Sequence, residues 1–108
     1  MPVNLDDAKL EAVAAALKSV AHPARLKILN LLAEEEQSVS DLCRNLDLPQ
    51  PYVSQQLTIL RNHGIIAARR EGQQVFYRVL NPHVLKIMEC VRAQAATEPD
   101  ILKKEGNL

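Results

Sequence analysis

Two prolines only two residues apart, Pro49 and Pro51, split the middle of the chain. The residue before a proline is pushed out of the helical region, so Asp47-Leu48-Pro49 ends one helix. A proline at a first helical position lacks no needed donor, so Gln50-Pro51 opens the next. Leu42, Cys43 and Leu46 form the apolar face before the break. Val53, Leu57 and Leu60 form it afterwards, at helical steps. The other elements have to pack around these two short helices and their tight turn.

Upstream, Leu10, Val13, Ala14 and Leu17 recur in steps of three and four, one stripe of a first helix. Asn4 is the expected cap, with Asp7 in the favourable first turn. His22-Pro23 interrupts, and Pro23 starts a second helix with His22 as its cap. Leu26, Ile28, Leu29, Leu31, Leu32 and Ala33 make that helix apolar around much of its circumference, so it is expected at the centre of the core. Glu34-Glu35-Glu36 ends it as a solvated turn, because three negative charges oppose the helix dipole there. Ser38-Val39-Ser40-Asp41 supplies a short extended link and the cap of the third helix.

Downstream, Gly64 provides a left-handed stop, with His63 a surface residue beside it. The texture then changes. Ile65 to Arg70 and Gln73 to Leu80 flank Glu71-Gly72 with β-branched and aromatic residues, which predicts a two-stranded hairpin. A lone hairpin is marginal, so it must lean on the helices. Asn81-Pro82 caps a last helix whose apolar residues are Val84, Ile87, Met88 and Val91. Residues 1–96 thus read as one domain. Residues 97–108 read as a polar tail, frayed or holding a short helix at 101–104.

Composition narrows the function. The 108 residues are 47% hydrophobic and 24% charged, ordinary for a globular chain and unlike a disordered one. A domain this small buries only about two-thirds of its unfolded surface, so further burial by self-association is expected. The N-terminal run Met1-Pro2-Val3-Asn4-Leu5-Asp6-Asp7 has no basic stretch followed by an apolar one, and no apolar run is long enough to span a bilayer. Two cysteines, Cys43 and Cys90, are too few for a disulfide scaffold. The expectation is a cytoplasmic protein with reduced thiols, without a membrane partner. No Gly-rich phosphate loop, His-Glu-x-x-His or Ser/His/Asp constellation suggests an enzyme, and no cofactor is indicated.

Thirteen basic and thirteen acidic residues give a net charge of zero, so a nucleic-acid partner has to be read locally. Between Leu48 and Leu80 stand four cations, Arg61, Arg69, Arg70 and Arg78, against Glu71 alone, a local net of +3. The order of helices followed by a hairpin is a mainly α winged helix-turn-helix (α-α-α-α-β-β-α). In such units the second helix enters the major groove with its N-terminal residues at base edges. Here those are Gln50, Pro51, Tyr52, Ser54, Gln55 and Gln56. Glutamine and serine suit base-edge hydrogen bonding, and a weakly basic face suffices to follow phosphates. Arg69 and Arg70 alternate across a strand, so one of them faces DNA. Gln73 and Gln74 form the wing tip. Arg25 is either a structural ion-pair partner or a phosphate contact.

Three segments carry a family resemblance. Ala21-His22-Pro23-Ala24-Arg25-Leu26-Lys27-Ile28-Leu29 resembles the second-helix signature of the ArsR/SmtB winged-helix repressors. Val53-Ser54-Gln55-Gln56-Leu57-Thr58-Ile59-Leu60-Arg61-Asn62-His63-Gly64-Ile65-Ile66 resembles their recognition helix and exit. Arg69-Arg70-Glu71-Gly72-Gln73-Gln74-Val75-Phe76-Tyr77-Arg78-Val79 resembles their wing. The segments keep the family's order and spacing, and the likeness covers roughly residues 8–95. It implies a homodimer through the first and last long helices, a palindromic operator in double-stranded DNA, repression, and a small inducer that lowers DNA affinity. Leu10, Val13 and Leu17 with Val84, Ile87, Met88 and Val91 exceed what one small core hides, which fits such a seam.

The family's sensor positions are not filled in the same way. The third-helix metal motif is replaced by Gln37-Ser38-Val39-Ser40-Asp41-Leu42, and Cys43 stands where a small residue is usual. The last-helix zinc positions read Asn81, His83, Gln94 and Thr97, of which only His83 is a ligand type, so no metal site is assigned. Asn30 stands near the place of the second-helix thiol of the sulfur-sensing branch. Cys43, Cys90 and His83 are left as sensor candidates. Cys43 is otherwise a small buried hydrophobe, and Cys90 an inert interface residue. The competing function is a winged-helix protein-interaction module without DNA binding, supported only by the neutral net charge.

Overall fold

The computed structural model describes residues 6–97. In chain order these form α1 (Asp7–Val20), α2 (Pro23–Leu32), β1 (Gln37–Ser38), α3 (Val39–Leu46), α4 (Gln50–Asn62), β2 (Ile66–Glu71), β3 (Gln74–Val79) and α5 (Pro82–Thr97). The expected two-stranded hairpin is a three-stranded antiparallel sheet in the order β1-β3-β2. Gln37 pairs with Tyr77 and Ser38 with Phe76, so the link between α2 and α3 becomes a strand. Two residues carry no periodicity, which is why the pairing left no trace in the sequence. The sheet gains a third strand and the wing a fixed root.

Local chemistry sets the helix ends. The first cap is Asp6, whose Oδ1 accepts from the Lys9 amide at 2.8 Å; Asn4, the expected cap, lies outside the described residues, as do residues 98–108, for which a frayed tail or a short helix at 101–104 is expected. His22 Nδ1 accepts from the Ala24 amide at 3.1 Å and so caps α2. Asp47 stops α3 in the left-handed region (φ 55°, ψ 48°), a conformation aspartate tolerates better than most residues. The helix therefore ends at Asp47 itself, before the proline acts. Gly64 (φ 70°) turns the chain from α4 into β2.

Ser38 and Asp41 close a capping box on α3. Ser38 Oγ accepts from the Asp41 amide at 3.1 Å, and Asp41 Oδ2 accepts from the Ser38 amide at 3.2 Å. The hydrogen bonds from Ser38, and then that from Arg44, hold the Asp41 carboxyl below its ordinary range. A carboxyl depressed on folding adds stability above its unfolded value, near pH 4, and loses it as pH falls through the lower folded value. Ser38→Ala should lower the unfolding free energy by about 1 kcal/mol at neutral pH. In urea titrations the gap between parent and variant should narrow below about pH 4. A gap constant with pH would mean the Ser38 hydroxyl adds nothing to the depression of Asp41, whose bond from the Ser38 amide survives the substitution.

The core lies where α2, α3 and α4 meet the sheet root and the start of α5. Ile28, Leu29, Leu42, Val53, Leu57, Leu60 and Ile65 are its most enclosed members, joined by Val20, Leu32, Ile66, Val84 and Met88. Val84 and Met88, expected in a dimer seam, are instead only 6% and 4% exposed within the protomer's own core. They face inward because α5 carries two apolar faces and this one packs beneath the sheet and helices. By contrast Leu10, Val13 and Leu17 of α1 and Ile87 and Val91 of α5 are 47, 51, 50, 40 and 52% exposed. Of the 14 residues of α1 only Ser19 and Val20 are buried.

Candidate nucleic-acid interface

The buried residues of α4 are Val53, Gln56, Leu57 and Leu60, at i, i+3, i+4 and i+7. Gln50, Pro51 and Gln55 are exposed, and Tyr52 and Ser54 are half-buried at the edges of that face. Thr58 and Asn62 extend the exposed face one and two turns beyond Pro51 and Gln55. They were missed in the sequence, although the 3.6-residue period running on from Pro51 marks them. Gln56 corrects the expectation that it reads DNA. Its side chain is turned into the protein, 5% exposed, and its Oε1 accepts from Arg25 Nε at 2.9 Å. Of the two roles expected for Arg25, the structure corrects the ion pair. It has no acidic partner among the described residues, and besides Gln56 it donates to the Ser19 carbonyl at 3.0 Å.

The hairpin register sets the two wing arginines apart. Arg69 lies opposite Phe76, and Arg70 opposite Val75. Residues directly opposite share a sheet face. Arg70 and Val75 therefore share a face with Ile66 and Val79, and Arg69 is on the reverse. Arg69 is already engaged. Its Nε lies 2.6 Å from Glu36 and its Nη1 2.5 Å from Glu71, with the guanidinium 5.0 Å from the Phe76 ring centre. Both acids hold its proton more tightly, raising its already high pKa. Charge so neutralised has little left for a phosphate, which corrects the placement of Arg69 among the DNA contacts. Arg70 has no ion-pair partner among the described residues. Glu36 is thus a tether for the wing rather than one of three free charges in a solvated turn.

The wing tip meets the helix-turn-helix. A cleft of about 230 Å³ is lined by Ser38, Val39, Ser40, Gln50, Gln73, Gln74 and Val75. It brings the start of α3, the start of α4 and the tip of the hairpin into one polar recess. Exposed amides from α4 and the wing therefore converge from positions more than twenty residues apart in sequence.

A second concavity, about 440 Å³, lies between α1 and α5. Its walls are Ala12, Val13, Ala16, Leu17, Val20, Val84 and Ile87, with Asn81 and His83 at its polar end. The sensor candidates are dispersed. His83 sits at this groove, Cys90 is exposed on α5, and Cys43 is half-buried against the core. Among the described residues no three His, Cys, Asp or Glu side chains are grouped to hold a metal ion. Near the far end of α5, Arg92 Nε donates to Asn30 Oδ1 at 2.7 Å, and its Nη2 bonds the Asn30 carbonyl and lies 3.3 Å from Glu34. Asn30 is thereby tied to α5 by hydrogen bonds. No helix among the described residues is long and apolar enough to cross a membrane.

Residues 22–68, from the cap of α2 to the root of the wing, match the bacterial regulatory proteins of the arsR family. Over 93 residues the chain is 41% identical to the biofilm growth-associated repressor of Agrobacterium fabrum, covering 86% of this chain and 80% of that one. The chain belongs to the arsR family. Solved structures of regulators are similar over most of the chain. HlyU from Vibrio cholerae superposes with a TM-score of 0.80 at 32% identity, over 85% of this chain and all of that one. The homodimeric winged helix-turn-helix DNA-binding domain of Mb0332 from Mycobacterium bovis gives 0.76 at 29% identity, over 92% and 94% of the two chains. This arsR-family chain is accordingly a winged helix-turn-helix transcription regulator that binds DNA, and not an enzyme.

Proposed function

We propose that the protein is a dimeric, operator-specific repressor that reads the major groove with the outer face of α4 and grips the flanking backbone with its wing. The observation that carries this reading is the convergence of exposed Gln50, Gln73 and Gln74 around one recess, whose Val75 wall stands opposite the unpaired Arg70 in the hairpin. Amide side chains there can donate and accept at base edges, Gln55 from the middle of the exposed face. Arg61 and Arg70 supply phosphate contacts, while Arg69 holds the wing in place. Residues 1–96 form the DNA-binding and dimerisation unit.

The second copy seats on the α1–α5 groove. A 14-residue helix that buries two residues is marginal on its own and gains its stability from packing. The radius of gyration, 15.7 Å, exceeds the ~13 Å of a compact chain of about 100 residues, as expected of a protomer whose outer helices await a partner. A two-fold seam there presents two copies of α4 about one DNA turn apart. Release by an inducer completes the reading, with Cys90 the more exposed of the two thiols.

The test is titration of a duplex selected from random sequence, and of random duplex, at several salt concentrations. The selected duplex should bind at least about a thousandfold more tightly, with a salt slope reporting several phosphates. Gln55→Ala should cost about 1–3 kcal/mol on the selected duplex and little on random DNA. Arg70→Ala should weaken binding to both and reduce the slope by about one, whereas Arg69→Ala leaves the slope unchanged. Failure to bind any duplex would favour a protein-interaction module.

A further inference from the structure

Gln56 is the odd member of the buried stripe of α4. Val53, Leu57 and Leu60 fill the other positions with hydrocarbon. Such apolar contact is non-directional and tolerates small rolls of one helix on another. The Gln56 amide contributes direction. Its oxygen receives the Arg25 Nε–H at 2.9 Å, and the same guanidinium reaches back to the Ser19 carbonyl at 3.0 Å. Ser19 belongs to the last turn of α1, where carbonyls have no partner within the helix and carry the negative end of its dipole. One planar cation thus bridges the end of α1, the first turn of α2 and the inner face of α4. The guanidinium fork holds its donors at fixed angles, which a lysine ammonium cannot do.

We propose that Arg25 is a positioning residue for DNA recognition, setting the roll of α4 against α1 through Gln56 without touching DNA. This rests on the assignment of α4 as the reading helix and of α1 to the dimer seam. Side-chain tips lie about 5–6 Å from a helix axis. A roll of about 20° therefore moves the Gln55 amide by about 2 Å, beyond the width of a good hydrogen bond. In the dimer the same roll acts on both reading helices. Arg25 consequently governs discrimination among sequences and half-site spacings rather than general affinity for DNA.

The experiment uses the full chain and the selected duplex, that duplex with one base pair added between its half-sites, and random duplex. Variants are Arg25→Ala, Arg25→Lys and Gln56→Leu, with circular dichroism and sedimentation to confirm fold and dimer. Arg25→Ala and Gln56→Leu should each lower the selected-to-random affinity ratio by at least about tenfold. Both should lose preference for the parental spacing, with binding to random duplex and the salt slope at parental values. The double variant should be no worse than either single one, since both break the same link. Arg25→Lys keeps the charge but not the fork, and should fall between parent and Arg25→Ala. It also serves as the readout if Arg25→Ala fails to fold. A salt slope lower by about one in Arg25→Ala, with an unchanged affinity ratio, would make Arg25 a phosphate contact and overturn the proposal. So would unchanged ratios and spacing preference in folded variants. Wild-type protein that binds no duplex would instead overturn the DNA-reading assignment itself.

Discussion

Ile87→Glu is expected to yield a folded monomer that has lost tight operator binding. Ile87 is 40% exposed in the protomer and lines the groove between α1 and α5, so a charge there is solvated in the single chain. In the dimer the same carboxylate would be carried into an apolar seam beside Val13 and Leu17, where an unpaired charge is strongly disfavoured. The consequence for DNA is larger than the loss of a contact. Two linked reading helices bind with the second contact already at high local concentration, and avidity typically exceeds single-site affinity by about 10²–10⁴-fold. Operator affinity should drop at least about a hundredfold. Sedimentation should show a single protomer, and circular dichroism should keep its helical signal. A dimeric Ile87→Glu with parental affinity would place the seam elsewhere.

Leu57→Ala should be among the most damaging single truncations within α4. Leu57 is 1% exposed and sits in the buried stripe of α4 between Val53 and Leu60. Removing three buried carbons loses their transfer energy and leaves a cavity that a close-packed interior fills only in part. The cost is about 2–5 kcal/mol. Whole domains of this size are stable by roughly 5–15 kcal/mol, so the variant should be marginal. Leu57→Met keeps the volume and should cost under about 1.5 kcal/mol. Urea unfolding checks both, at one fixed protein concentration because association contributes to stability. Equal stability of the alanine variant and the parent would contradict the packing described for α4.

Much of this was legible from residue type alone. His22-Pro23 marked the start of α2 because a proline and a side-chain acceptor are both what a first turn needs. Gly64 and Gly72 located the exit from α4 and the tip of the wing. What escaped was non-local. β1 is two residues long, and only its pairing with Tyr77 and Phe76 makes it a strand. Gln56 was misplaced because its residue type suggests a surface, whereas its spacing from Val53 and Leu60 puts it inside; there the period was the better guide. Arg69 carries the charge of a phosphate contact, but Glu36, thirty-three residues away, claims it. Met88 lies in the core rather than the expected seam because a single stripe cannot show that α5 has one apolar face buried and another exposed.

The central claim is that α4 and the wing are the surface that meets DNA. Amide hydrogen exchange, or NMR shift perturbation, with and without the selected duplex tests it most directly. Changes should concentrate at residues 50–58 and 70–75, with α1 and α5 little altered in the preformed dimer. Perturbation confined to the α1–α5 groove, with the start of α4 and the wing tip unmoved, would contradict it.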